Sequence, residues 1–173
     1  MPTVLEHPAV QRVLDVAARK GVTLEVMIFP DSTHTAADAA RVVGAEIGQI
    51  VKSLVFVTSG EAGELEPIIC LVSGAARVDL ERLAAVIGRR DVRRASAREA
   101  DELTGFTIGG IPPFGHQGRT RVIMDPDLGR YETVWAAAGL PTAVFPVSPA
   151  TLRMLADAHV APIAEEPPVE GAS

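Results

Sequence analysis

A chain of 173 residues that is 47% hydrophobic but only 4% aromatic fits one compact domain with an aliphatic core. The formal charge of −6 argues against a broad electrostatic grip on nucleic acid, and no apolar run reaches the roughly eighteen residues of a membrane-spanning helix. The single Cys70 rules out an internal disulfide and fits a reducing compartment. The first residues carry neither a basic nor an apolar leader region, so a cytoplasmic location is expected.

In chain order, Pro8 to Lys20 predicts a helix, with Val10, Val13, Leu14 and Ala17 at helical spacing and Gly21 as its stop. Leu24 to Phe29 predicts a strand. Thr35 caps a second helix that Gly44 ends, and a short helical turn follows around Glu46 to Ile50. Ser53–Thr58 and Pro67–Ser73 predict a hairpin, and their near-continuous hydrophobicity implies strands covered on both faces. Asp79 to Ile87 predicts an amphipathic helix with Leu80, Leu83, Ala84 and Ile87 inward. Ser96 to Leu103 predicts another, opened by a capping box with Glu99 and closed at Gly105.

Arg121 to Asp125 predicts a strand, Asp125 to Gly129 a turn, and Glu132–Ala137 and Thr142–Phe145 two further strands. Ser148 and Pro149 open a last helix. Without strict βαβ alternation, the expected fold is a single α+β domain over residues 1–160. Its mixed, mostly antiparallel β-sheet is barrel-like and flanked by helices. Residues 161–173 are rich in Pro and Glu and predict a disordered tail.

The chemistry-bearing residues are few. His7, His34, His116 and His159 lie far apart beside one cysteine, so no metal site is expected, and neither a phosphate-binding glycine motif nor a nucleophile elbow occurs. Cys70 sits in an apolar strand and reads as core. Asp125 and Asp127 flank a proline and read as turn residues.

Three features stand out. Lys52, one of only two lysines, precedes the most apolar strand; it either snorkels to solvent or holds a ligand anion. Thr33-His34-Thr35 is either a helix cap or the polar rim of a pocket. The loop from Gly105 to His116 contains Gly109-Gly110-Ile111-Pro112-Pro113 and cannot be helix. It is either a tight corner or a rigid cradle of main-chain amides, with His116 a solvated or a ligand-binding residue at its exit.

Together, His34–Ala40, Gln49-Ile-Val-Lys-Ser-Leu-Val-Phe56 and Thr104–His116 resemble the YbaK family, and the similarity runs from about Val22 to Ala156. That family includes the editing domain inserted into bacterial prolyl-tRNA synthetases and free-standing deacylases of mischarged tRNA. The resemblance implies hydrolysis of the ester joining a wrong amino acid to the terminal adenosine, with no cofactor or metal. It assigns Lys52, Gly109 and Gly110 to catalysis, Lys52 by anchoring the terminal nucleotide and the glycines by presenting amides to the ester. Substrate binding would fall to His34, Thr35, Ile111, Pro112, Pro113, His116 and Val144.

Two departures bear on specificity. Val144 stands where some relatives carry an acidic residue, which disfavours a polar or charged substrate side chain, and Pro112 stands where several have a small one, which changes the pocket wall. These departures leave the edited amino acid open; the resemblance implies a small one such as alanine, cysteine, serine or threonine. The implied partners are the acceptor end of a mischarged tRNA and an aminoacyl-tRNA synthetase, not a membrane. Arg89–Arg94 is either a source of phosphate contacts or a solvated basic turn. The competing functional reading is a non-catalytic module that binds a nucleotide or a tRNA end.

Overall fold

The computed structural model describes residues 3–29 and 35–166. Local signals place its helices. α1 (Pro8–Arg19) starts with proline in its first turn and with the His7 ring accepting from the Ala9 amide. α2 (Ala36–Val43) is capped by the Thr35 hydroxyl, α3 (Leu80–Ile87) by the Asp79 carboxylate and α5 (Pro149–Ala156) by Ser148. α4 (Ala97–Thr104) opens on the reciprocal Ser96–Glu99 capping box.

The central hairpin pairs β2 (Val51–Ser59) with β3 (Leu65–Ser73) over nine residues, in register from Val51↔Ser73 to Ser59↔Leu65. β5 (Arg121–Met124) joins β3 in parallel, and β8 (His159–Val160) joins β5 in parallel. β4 (Arg93–Arg94) pairs with the other edge of β2, but only at Phe56 and Val57. A second, antiparallel sheet has the order β1 (Met27–Ile28), β7 (Ala143–Val147), β6 (Val134–Ala137).

The predicted α+β fold with mostly antiparallel pairing is what forms, with one correction. The strands make two sheets rather than a closed barrel, joined by an isolated bridge between Ile50 and Trp135. The ladder fails to close because β4 is two residues long, leaving the outer edge of β2 at Lys52–Leu54 without a strand partner among the described residues.

β3 is buried on both faces, as its apolar run requires. Ile69 and Leu71 face a core built with α1, the Phe106–Phe114 loop and β7, while Ile68, Cys70 and Val72 face α3 through Leu83 and Ile87. Each such aliphatic side chain contributes about 1.5–3 kcal/mol of transfer free energy.

Four local expectations change. The strand predicted over Leu24–Phe29 shrinks to Met27–Ile28, both exposed, because β7 offers it only Ala143 and Val144 as partners. Leu80, expected inward, is 46% exposed at the start of α3. β4 and β8 form in stretches where no strand was expected, since each is held by pairing with a distant edge.

The chain after Ala161, placed in the expected tail, is docked as far as Glu166. Ile163 is fully buried, and the Asp125 carboxylate accepts from the amides of Ile163 and Ala164. Residues 167–173 lie outside the described residues.

Candidate functional site

The open edge of β2 forms one wall of a cavity of about 250 Å³. α2, β6 and the loop after α4 close the remaining sides. The floor is small and apolar: Ala36, Ala39, Ala100, Ala136, Ile111 and Val144. Thr35 lines the same cavity while capping α2, so its two readings coexist in one residue. His34 lies outside the described residues.

Lys52 is half-buried at the cavity edge, and its ammonium donates to the carbonyl of Ala76. Burial holds its pKa below the usual lysine value, with Arg77 and Arg94 adding repulsion. No carboxylate pairs with it among the described residues. The neighbouring Ser53 was missed by sequence reasoning. Its hydroxyl is shielded from solvent and has no hydrogen-bond partner among the described residues.

The main chain of Ser53 is also open. The Val55 carbonyl accepts from the Ala95 amide on the outer edge of β2. Strand alternation therefore turns the peptide groups of Ser53, two residues earlier, to that same unpaired edge. An unpaired strand edge is a ready-made template for hydrogen bonds to an extended ligand.

The Gly105–His116 loop is both corner and cradle, divided residue by residue. Thr104 ties its two ends together: its hydroxyl accepts from the Phe106 amide at 3.1 Å, and its carbonyl accepts from the Gln117 amide at 2.8 Å. Phe106 and Phe114 turn inward, the latter packing on Phe145 with ring centres 5.8 Å apart. Gly109, at φ +100°, lines the cavity. Among the described residues the amides of Gly109 and Ile111 have no hydrogen-bond partner.

Gly110 differs. Its amide already donates to the Thr107 carbonyl at 3.0 Å, and it is not part of the cavity lining, so the expected pair of amide donors reduces to Gly109 with Ile111. Pro112, Pro113 and His116, expected to touch substrate, also lie off the lining. The prolines are buried, and His116 staples the loop from behind. Its Nε2 is 2.7 Å from the Pro112 carbonyl and its Nδ1 is 3.1 Å from the Thr120 hydroxyl. A carbonyl only accepts, so Nε2 carries the proton and Nδ1 accepts from Thr120. Burial lowers the pKa of the imidazole and keeps it neutral, outweighing the Pro112 contact that raises it.

No Asp, Glu, His or Cys lines the cavity among the described residues. Cys70 is fully buried on the far face of β3, and burial pushes its thiol up to about 12, which makes it inert. Asp125 is likewise spent on structure, accepting from the amides of Asp127, Ile163 and Ala164.

A compact α+β domain thus places a lysine and unpaired backbone amides around a small, largely apolar cavity, the layout of a binding site for a small group. Residues 30–155 match the aminoacyl-tRNA editing domain family, and the chain belongs to that family. A crystal structure of a candidate trans-editing enzyme for prolyl-tRNA synthetase is 44% identical, superposes with a TM-score of 0.83, and shares 92% of this chain and 99% of its own. YwhH of Bacillus subtilis (strain 168) is 31% identical over 128 residues, covering 74% of this chain and 78% of that protein. The multifunctional Ser/Thr-tRNA deacylase ProXp-y of Escherichia coli (strain K12) is 30% identical over 135 residues, 75% of this chain and 77% of that protein.

Proposed function

We propose that the protein is a trans-editing deacylase that takes the 3′ end of a mischarged tRNA and hydrolyses its ester to a small amino acid: alanine, cysteine, serine or threonine. The observation that carries this reading is the placement of Lys52 and the free Gly109 and Ile111 amides around one small-walled cavity. The ester is already activated, so positioning and amide donors aimed at the developing oxyanion supply much of the acceleration. Lys52 anchors the terminal nucleotide as a point charge. With no carboxylate, imidazole or thiol lining the cavity among the described residues, and Lys52 given to the nucleotide, the attacking water is activated by the substrate's own ribose hydroxyl or amino group.

Alanine and valine walls select by size. Such a pocket separates substrates differing by one methylene by only about 1–3 kcal/mol and rejects an added hydroxyl poorly. Discrimination among small amino acids is therefore graded, about 10–200-fold per methylene, rather than absolute. Choice of the tRNA body falls to contacts outside the cavity or to a synthetase partner that delivers the substrate in the cytoplasm.

The test is a side-by-side assay of alanyl-, cysteinyl-, seryl- and threonyl-tRNA, following loss of the aminoacyl group. At least one is turned over well above buffer. Binding of tRNA with no turnover of any of them would make the protein a non-catalytic module.

A further inference from the structure

One arginine, Arg94, lines the cavity, and two others in its run are neutralised. In the run from Arg89 to Arg94, Arg89 pairs with Asp91 at 3.5 Å, and Arg93 grips both carboxylate oxygens of Glu99 at 2.8 Å. Arg94 lines the cavity and has no ion pair among the described residues; its guanidinium lies 5.6 Å from the centre of the Phe56 ring. Register puts Arg94 directly across from Phe56, and Phe56 shares a face of β2 with Lys52, four residues earlier. Arg94 and Lys52 therefore rise from the same face of the sheet.

Arg77 completes the group. It follows Ala76, whose carbonyl holds the Lys52 ammonium, and it too is exposed and without an ion pair among the described residues. Lys52 and Arg94 thus lie in the cavity lining and Arg77 just beside it, close enough for the two guanidiniums to disfavour the charged form of Lys52. No carboxylate lies in the lining to balance them, although the chain as a whole carries a formal charge of −6. Mutual repulsion makes this arrangement costly in the free protein, and a bound anion relieves it.

We propose that Arg77 and Arg94, flanking Lys52, form a subsite for backbone phosphates of the single-stranded 3′ end of the substrate RNA. This deepens the deacylase reading and rests on it for the identity of the RNA. The floor of the cavity takes the aminoacyl group, and the cationic rim takes the phosphodiesters that precede the terminal nucleoside. Guanidinium suits that task because its planar fork binds two phosphate oxygens at once. Both arginines are exposed, where a flexible strand can reach them.

The test measures binding of deacylated tRNA, and of a short single-stranded RNA ending in CCA, across a salt titration. The slope of log K against log salt falls by about 0.7 for Arg77→Gln or Arg94→Gln, and by about 1.4 for the double variant, because each lost single-strand phosphate contact retains its counterion. Arg94→Lys keeps most of the slope, and Arg93→Gln, whose charge Glu99 already balances, leaves it unchanged. In deacylation, the double variant raises KM with kcat retained. A double variant that melts like wild type with an unaltered slope overturns the subsite. So does a slope that changes no more than in Arg93→Gln, or a loss confined to an aminoacyl ester with an acidic side chain. Wild type that binds RNA with the full slope but releases no amino acid would sink the deacylase reading and leave the subsite standing.

Discussion

A methyl group added to Gly110 would lie 2.7 Å from the Cα of Leu140 and within 2.9 Å of its backbone nitrogen. Backbone cannot swing aside as a side chain can, so the loop after α4 and the turn after β6 are locked at van der Waals contact. Gly110→Ala is expected to destabilise the fold by about 1–3 kcal/mol, as overpacking does. Thermal unfolding checks this, with activity falling in step with the folded fraction. A variant that melts normally but is inactive would return Gly110 to the chemistry.

Lys52→Ala removes a charge from the cavity edge and one hydrogen bond to the half-buried Ala76 carbonyl. Stability should change by no more than about 1.5 kcal/mol. Turnover should drop at least tenfold, on the proposal that the lysine holds the terminal nucleotide. Kinetics beside a melting curve separates these two effects, and full activity in a folded variant would remove Lys52 from the site.

Ser53→Ala should behave in the opposite way for stability. The hydroxyl is buried without a partner among the described residues, and deleting such a group recovers part of a desolvation cost of about 1–3 kcal/mol. The melting temperature is expected to rise. A rise in KM in the same variant would show that substrate supplies the missing partner.

His116 makes the fold sensitive to acid. Its pKa is lowered in the folded state, so the native protein favours the neutral ring and the unfolded chain binds the proton more readily. The stabilisation is complete above about pH 6.5, the ordinary histidine value, and is lost as pH falls through 6.5 toward the folded-state pKa. Melting temperatures measured across this window should fall for wild type and fall less for His116→Gln. Equal slopes for the two would place the acid sensitivity elsewhere.

Asp125→Ala leaves three backbone amides without their acceptor. A loss of more than about 2 kcal/mol is expected, since bonds to a charged acceptor are each worth about 1.5–3 kcal/mol. Limited proteolysis should then cut after Ala161, where the docked chain comes free. Protection equal to wild type would mean that Ile163 holds the segment by burial alone.

These residues also mark what can be read from the chain by itself. Helix caps at Thr35, Ser96 and Ser148 were legible because each bonds within three residues of itself. The hairpin was legible because both its strands are apolar along most of their length. Arg93-Arg94 gave no such sign, since a two-residue strand exists only through the edge of β2. Residues 162–166 carry a disordered-looking composition, and what orders them is a carboxylate thirty-eight residues upstream of Ile163.

Within the site, Lys52, Thr35, Gly109, Ile111 and Val144 were found from the sequence and come together at one cavity. Adjacent glycines looked equivalent on paper. Only the packing of Gly110 on Leu140, and the bond from its amide to Thr107, separates their roles. Arg94 could not be told from its neighbours until the carboxylates beside Arg89 and Arg93 were in place.

Trp135, beside the bridge to Ile50, is the chain's one tryptophan and forms part of the cavity wall. The molecule thus carries a native optical probe at its candidate site. On the proposed function, ultraviolet emission from that single indole is expected to shift as an unmodified RNA end enters and leaves the cavity, giving an occupancy readout in real time without a dye or a tag.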